Sequence, residues 1–84
     1  MPSRDAIAGQ VRALLSQVMD VAPDSIGSSF DQASCDSWSS LTHLMLISEL
    51  ESRFGVSFSN QEITELTSYD RIVDAIASRA PIDG

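Results

Sequence analysis

Apolar residues recur at helical spacing along four stretches of this chain, and polar or turn-forming residues separate them. Ile7, Val11, Leu14, Leu15 and Val18 follow an i, i+4, i+7, i+8, i+11 progression, which predicts a helix from about Ser3 to Met19. Ser3 is placed to cap it, and Asp5 lies where the helix dipole favours negative charge. In the run Val21-Ala22-Pro23-Asp24, Pro23 cannot continue a helix and marks its end. From Ser25 to Ser39 the chain is polar, with Ile26, Phe30 and Trp38 as isolated apolar residues. A loop of that length is unusual in a small domain and tends to carry function. Those three residues are the ones able to pin it to a core.

A second helix is expected from Ser40 to Phe54, with Leu46, Leu50 and Phe54 on one stripe flanked by Leu44 and Ile47. Gly55 follows as a left-handed C-cap. Val56-Ser57-Phe58 reads as extended. Ser59 and Glu62 then form a capping-box pattern, which opens a brief third helix ending near Leu66. Thr67 or Ser68 caps a last helix, in which Tyr69, Ile72, Val73 and Ile76 share a face. Residues 80–84 read as a frayed tail. The expectation is one domain over residues 1–84 and an all-α fold. It is a four-helix bundle with a short third helix and a long loop between helices one and two.

Eighty-four residues, 43% of them apolar, suffice for one thin core. The longest apolar run, Leu44-Met45-Leu46-Ile47, is too short to span a bilayer. No apolar stretch follows Arg4, so no secretory signal is expected and a cytoplasmic location is. Twelve acidic residues against five arginines and no lysine leave a net charge of −7. That balance offers no basic stripe to nucleic acid or to an anionic membrane. It suits steering onto basic patches of larger proteins. The single cysteine, Cys35, cannot close an internal disulfide; with Asp36 and no base beside it, it reads as a spectator. One histidine makes no multi-ligand zinc site, and no Asp-rich loop has the EF-hand spacing. No metal ligand and no catalytic residue is therefore expected.

The chemistry concentrates at the junction Asp36-Ser37-Trp38-Ser39-Ser40-Leu41-Thr42-His43-Leu44. Ser40 would open the second helix, where unpaired N–H groups and the dipole favour a phosphate. The plainer reading makes Ser40 a helix cap and nothing more. Ser40 and His43 are one turn apart, but no carboxylate orients the pair, so no triad is arguable.

Across nearly its whole length the chain resembles an acyl carrier protein. The resemblance lies in Ser40-Leu41, Leu44, Leu46-Ile47, Leu50-Glu51, Phe54-Gly55, Val56, Glu62-Ile63, Leu66-Thr67-Ser68 and Ile72-Val73-Asp74-Ala75-Ile76. Pro23-Asp24-Ser25-Ile26 is similar to the family's entry into the first loop. The resemblance implies a four-helix bundle of acyl-carrier-protein type and a covalent 4′-phosphopantetheine arm on the serine of an Asp-Ser-Leu motif. In the family that serine stands fourteen residues ahead of the phenylalanine ending the helix. Ser40 stands fourteen ahead of Phe54 and precedes Leu41, so the arm is expected on Ser40, with Ser37 as the alternative. Ser39 departs from the family's aspartate, and Asp36 is the candidate carboxylate on the neighbouring loop. That departure bears on which transferase modifies the chain.

The implied partners are a phosphopantetheinyl transferase, an acyl ligase or acyltransferase, and ketosynthase-type or other acyl-processing enzymes. The chain itself is expected to be a monomer and to catalyse nothing. Leu41, Met45 and Ser48 form a strip leading away from Ser40, and with Glu49 and Glu62 they are the expected partner surface. Where many family members carry glutamate, this chain has Met45, so partners reading hydrophobic contacts as well as charge are expected. That points to a dedicated pathway rather than bulk fatty-acid synthesis. Cargo is expected to be acyl or polyketide, with aminoacyl or peptidyl groups as the alternative. From a different class comes an unmodified acidic helical module that docks onto a basic partner.

Overall fold

The computed structural model describes residues 3–79; the expected tail at 80–84 lies outside the described residues. Four helices follow in order: α1 (Arg4–Met19), α2 (Ser40–Phe54), α3 (Asn60–Glu65) and α4 (Tyr69–Arg79). The described residues contain no strand, so the fold is all-α. Ser3 begins α1 as expected, its hydroxyl accepting the Ala6 N–H at 3.1 Å. α1 ends at Met19 as expected, although the stop is Asp20 rather than Pro23. Asp20 stops the helix in the left-handed conformation, φ 57°, a shape that aspartate tolerates better than most residues. Pro23 instead opens a one-turn 3₁₀ helix, Pro23–Ser25.

α1 packs against both α4 and α2. Its Ile7, Val11, Leu14, Leu15 and Met19 are buried, whereas Val18 is only half-buried against the core. They meet Leu46, Ile47 and Leu50 of α2 and Tyr69, Ile72, Val73 and Ile76 of α4 in one continuous apolar cluster. Leu44, expected to flank the buried stripe, is 60% exposed. It lies two residues before Leu46, about 200° round the helix, and so faces away from α1. His43 occupies the inner face instead, four residues before Ile47.

The loop between α1 and α2 is ordered. Ile26, Phe30 and Trp38 are buried as expected, and Cys35 joins them at 7% exposure. A second one-turn 3₁₀ helix, Gln32–Ser34, is capped by Asp31. The backbone is then stitched to the α3–α4 connection. Gln32 donates its N–H to the Thr67 carbonyl at 2.9 Å, and Tyr69 donates to Phe30 at 3.0 Å. Arg12 Nε donates to the Ile26 carbonyl at 3.2 Å, and the Tyr69 hydroxyl to Ala8 at 3.2 Å. A loop can be buried only when its polar backbone groups find such partners.

Gly55 ends α2 in the left-handed conformation, φ 65°, as the sequence predicts. Ser59 and Glu62 form the expected capping box at α3, and Ser68, rather than Thr67, accepts the Arg71 N–H at α4. The C-terminal turn of α4 closes over this region. Arg79 pairs with Glu62, donates to the Ser57 carbonyl at 3.0 Å, and lies 4.9 Å from the Phe58 ring centroid.

Because Leu50 is fully buried at the centre of the cluster, Leu50→Ala is expected to cost about 2–5 kcal/mol. Urea denaturation of the variant beside the parent chain measures the loss, which is a large share of a small domain's stability.

Candidate functional site at the start of the second helix

Ser39 is the N-cap of α2: its hydroxyl accepts the Thr42 N–H at 3.3 Å, and Thr42 Oγ1 accepts the Ser39 N–H at 2.7 Å. Thr42 also donates its hydroxyl to the Ser37 carbonyl at 2.7 Å. The reading in which Ser40 is the cap is therefore corrected by one position. Ser40 is the first residue of the helix, and its exposed hydroxyl is left out of the capping box. Residue 39 must accept an N–H, and its serine does so.

The alternative serine is engaged differently. Ser37 donates its hydroxyl to the Met19 carbonyl at 2.7 Å and lies 3.3 Å from Cys35 Sγ, joining the loop to the end of α1. Cys35 is buried beneath it. Asp36, between them in sequence, is exposed on the loop surface.

His43 is held at both ring nitrogens. Trp38 Nε1 lies 2.9 Å from Nδ1, and the Ile63 carbonyl lies 2.7 Å from Nε2. The indole nitrogen can only donate and the carbonyl can only accept, so Nδ1 accepts and Nε2 carries the proton. No lone pair remains to activate Ser40, and the Ser40–His43 spacing does not form a nucleophile–base pair. Beside Ser40 runs an open groove of about 300 Å³ lined by Gln32, Ser40, His43, Leu44, Thr64 and Thr67. Every side chain in that lining is uncharged when His43 is neutral.

On the outward side of α2, Leu41 is 69%, Leu44 60% and Met45 50% exposed. Ser48 and Glu49 are exposed beyond them. The strip therefore contains the expected Leu41, Met45 and Ser48 and gains Leu44, which sequence reasoning had assigned to the interior. Its angular position relative to Leu46 was the sequence signal that pointed outward. From Ser40 to Ser48 the helix carries no acid or arginine, so this face is a neutral apolar island on an acidic chain.

Glu62 is only partly available as a surface group. Its Oε1 accepts the Ser59 N–H at 2.9 Å, and its Oε2 pairs with Arg79. The Arg79 guanidinium, followed by the Ser59 N–H, holds the Glu62 carboxyl down from 4.5 to about 2. Among the described residues no group of three or more histidine, cysteine, aspartate or glutamate side chains is gathered to hold a metal ion. No helix among them is long and apolar enough to cross a membrane.

No protein-family model matches the chain, and no curated protein matches it.

Two measurements test this geometry. Ser39→Ala removes the cap and is expected to cost about 1 kcal/mol of stability, while Ser40→Ala stays within about 0.5 kcal/mol; thermal denaturation of both reads the difference. The lowered Glu62 pKa contributes stability that is present above the ordinary value of 4.5 and lost as the pH falls toward about 2. Acid titration followed by circular dichroism is expected to show a steeper loss in that window for the parent chain than for Glu62→Gln.

Proposed function

We propose that the protein is an acyl carrier protein, a non-catalytic chain that carries acyl or polyketide intermediates on a 4′-phosphopantetheine arm attached to Ser40. The observation that carries the reading is the division of labour at the start of α2. Ser39 and Thr42 close the cap, and the adjacent Ser40 hydroxyl is left exposed. It stands beside a neutral groove and at the head of an apolar strip. The resemblance across the four helices supports the same residue through the spacing of Ser40, Leu41 and Phe54. The arrangement of the helices in acyl-carrier fashion, with the long loop packed over one end, belongs to this proposal.

The residues present suit such an arm. An exposed primary hydroxyl at a helix start can be esterified without unmaking the cap, and the helix dipole favours the negative charge of a phosphodiester. The groove beside it offers Gln32, Thr64 and Thr67 as neutral polar partners and Leu44 as an apolar edge. When attached, the arm supplies a thiol that holds cargo as a thioester. This chain contributes placement: α2 fixes the attachment point, and the groove borders it. His43 is committed to Trp38 and Ile63, so a transferase would provide the base for the attachment.

Leu41, Leu44 and Met45 are the contact surface for partner enzymes in this reading, with Ser48 and Glu49 at its far edge. Removal of exposed apolar side chains from water is the stabilising contribution they offer a partner. Glu62 contributes by holding α3 in place through Ser59 and Arg79, more than by meeting a partner itself.

Incubation with coenzyme A and a broad-specificity phosphopantetheinyl transferase, followed by intact-protein mass spectrometry, tests the proposal. One arm is expected on the parent chain and on Ser37→Ala, and none on Ser40→Ala. A parent chain that stays unmodified sinks the proposal and leaves the unmodified docking module as the better reading. An arm retained on Ser40→Ala and lost on Ser37→Ala moves the site to the loop.

A further inference from the structure

His43 is an ionisable group built into the junction of three elements. Its ring joins the loop through Trp38 Nε1 at 2.9 Å and α3 through the Ile63 carbonyl at 2.7 Å, while its backbone belongs to the first turn of α2. The Trp38 and His43 rings are stacked, with centroids 6.1 Å apart, and Phe30 also stacks with Trp38, at 5.9 Å. Trp38 is 3% exposed, so its indole N–H has no ready access to water as a substitute acceptor. Gln32 adds a further tie, donating its side-chain amide to the Trp38 carbonyl at 3.2 Å.

The bond pattern requires the neutral ring. Protonating Nδ1 removes the lone pair that receives the indole N–H and sets two donors against each other. The buried indole N–H then has no acceptor, which a folded interior tolerates poorly. We propose that His43 is a proton-sensitive latch: while neutral it holds the loop and α3 against the start of α2, and protonation releases Trp38 and loosens the turn that presents Ser40. The atoms balance simply: one proton from solvent binds Nδ1, and the Trp38 Nε1–H···Nδ1 bond is lost. Since the opened form takes up the proton, falling pH drives the release.

Nothing charged among the residues lining the groove offsets the new cation. The ring meets Trp38 from the loop and the Ile63 carbonyl from α3, and it shares the groove with Gln32, Ser40, Leu44, Thr64 and Thr67. The charged side chains on those elements are engaged elsewhere or lie out on the surface. Asp31 accepts the Ser34 N–H, and Glu62 pairs with Arg79. Asp36, Glu49 and Glu65 are exposed. The latch belongs to the unmodified chain and stands whether or not Ser40 receives an arm.

The experiment is a nuclear magnetic resonance titration of the isotopically labelled, unmodified chain from about pH 8 to about pH 5, the range in which histidine switches charge. Trp38 is the only tryptophan, so its indole N–H gives a single assignable signal. That signal is expected to move with the midpoint of the His43 ring. The Trp38 and His43 amides, bonded to the Cys35 and Ser39 carbonyls, should exchange about tenfold faster at the acid end after correction for the intrinsic rate. His43→Asn keeps an acceptor near Trp38, and His43→Gln keeps a donor toward Ile63; in either variant, checked for helicity, the indole signal should no longer titrate. A ring that titrates while the indole signal and both amides hold still overturns the latch. So does a ring that remains neutral until the chain unfolds. Neither result depends on modification of Ser40, which mass spectrometry reads separately.

Discussion

The loop between α1 and α2 supplies part of the core it covers, and the placement of α2 depends on that contribution. A chain of 84 residues has little apolar surface to spare. Ile26, Phe30, Cys35 and Trp38 join the residues of α1, α2 and α4 in a single cluster, so the loop is a packed layer rather than a tether. Burial obliges its backbone to find partners, and it finds them in Thr67, Tyr69 and Arg12, far away in sequence. The end of the loop is consequently held from below by Trp38 and from the side by Gln32. Ser39 arrives in position to cap the helix. The exposed Ser40 is a product of this arrangement as much as of its own sequence.

The first turn of α2 divides its residues between two tasks. Ser39, Thr42 and His43 face inward or along the helix end and bind the loop and α3. Ser40, Leu41, Leu44 and Met45 are exposed, with Ser40 and Leu44 on the rim of the groove. In the proposed reading the inward set holds the turn in place, and the outward set is the one offered to another molecule. Under that proposal the long-range charge of the chain would act on encounter, whereas contact at this face would be apolar. Those two effects can therefore serve different stages of one association.

α3 is too short to be stable by itself and is held by its surroundings. Ser59 and Glu62 satisfy its free N–H groups, Arg79 pulls Glu62 toward α4, and the Ile63 carbonyl is tied to His43. Both borders of the groove beside Ser40 are thus set by side-chain bonds rather than by helix propensity. The groove is correspondingly sensitive to charge changes at two residues, Glu62 and His43.

Local chemistry made much of this legible in advance. The periods of α1 and α4, the Ser3 and Ser59 caps, the left-handed Gly55 and the anchoring roles of Ile26, Phe30 and Trp38 all follow from interactions within a few residues or from simple apolar burial. Other features depend on contacts between distant segments, which a periodic pattern does not encode. Leu44 looked buried because it sits among apolar neighbours; packing of α1 against the Leu46 side of α2 leaves it facing water. The stop at Asp20 rather than Pro23 is an exception, resting on local bonds between Ser16 and Val21. His43 appeared as an isolated histidine near a serine, and its role emerged only when Trp38 and Ile63 were brought to its two nitrogens. The sequence alone determined which segments are helical and which serine opens the second of them. Tertiary structure decided which neighbouring groups are spent on holding that turn and which are left outward, because hydrogen-bond partners far apart in the chain meet only after the core has formed.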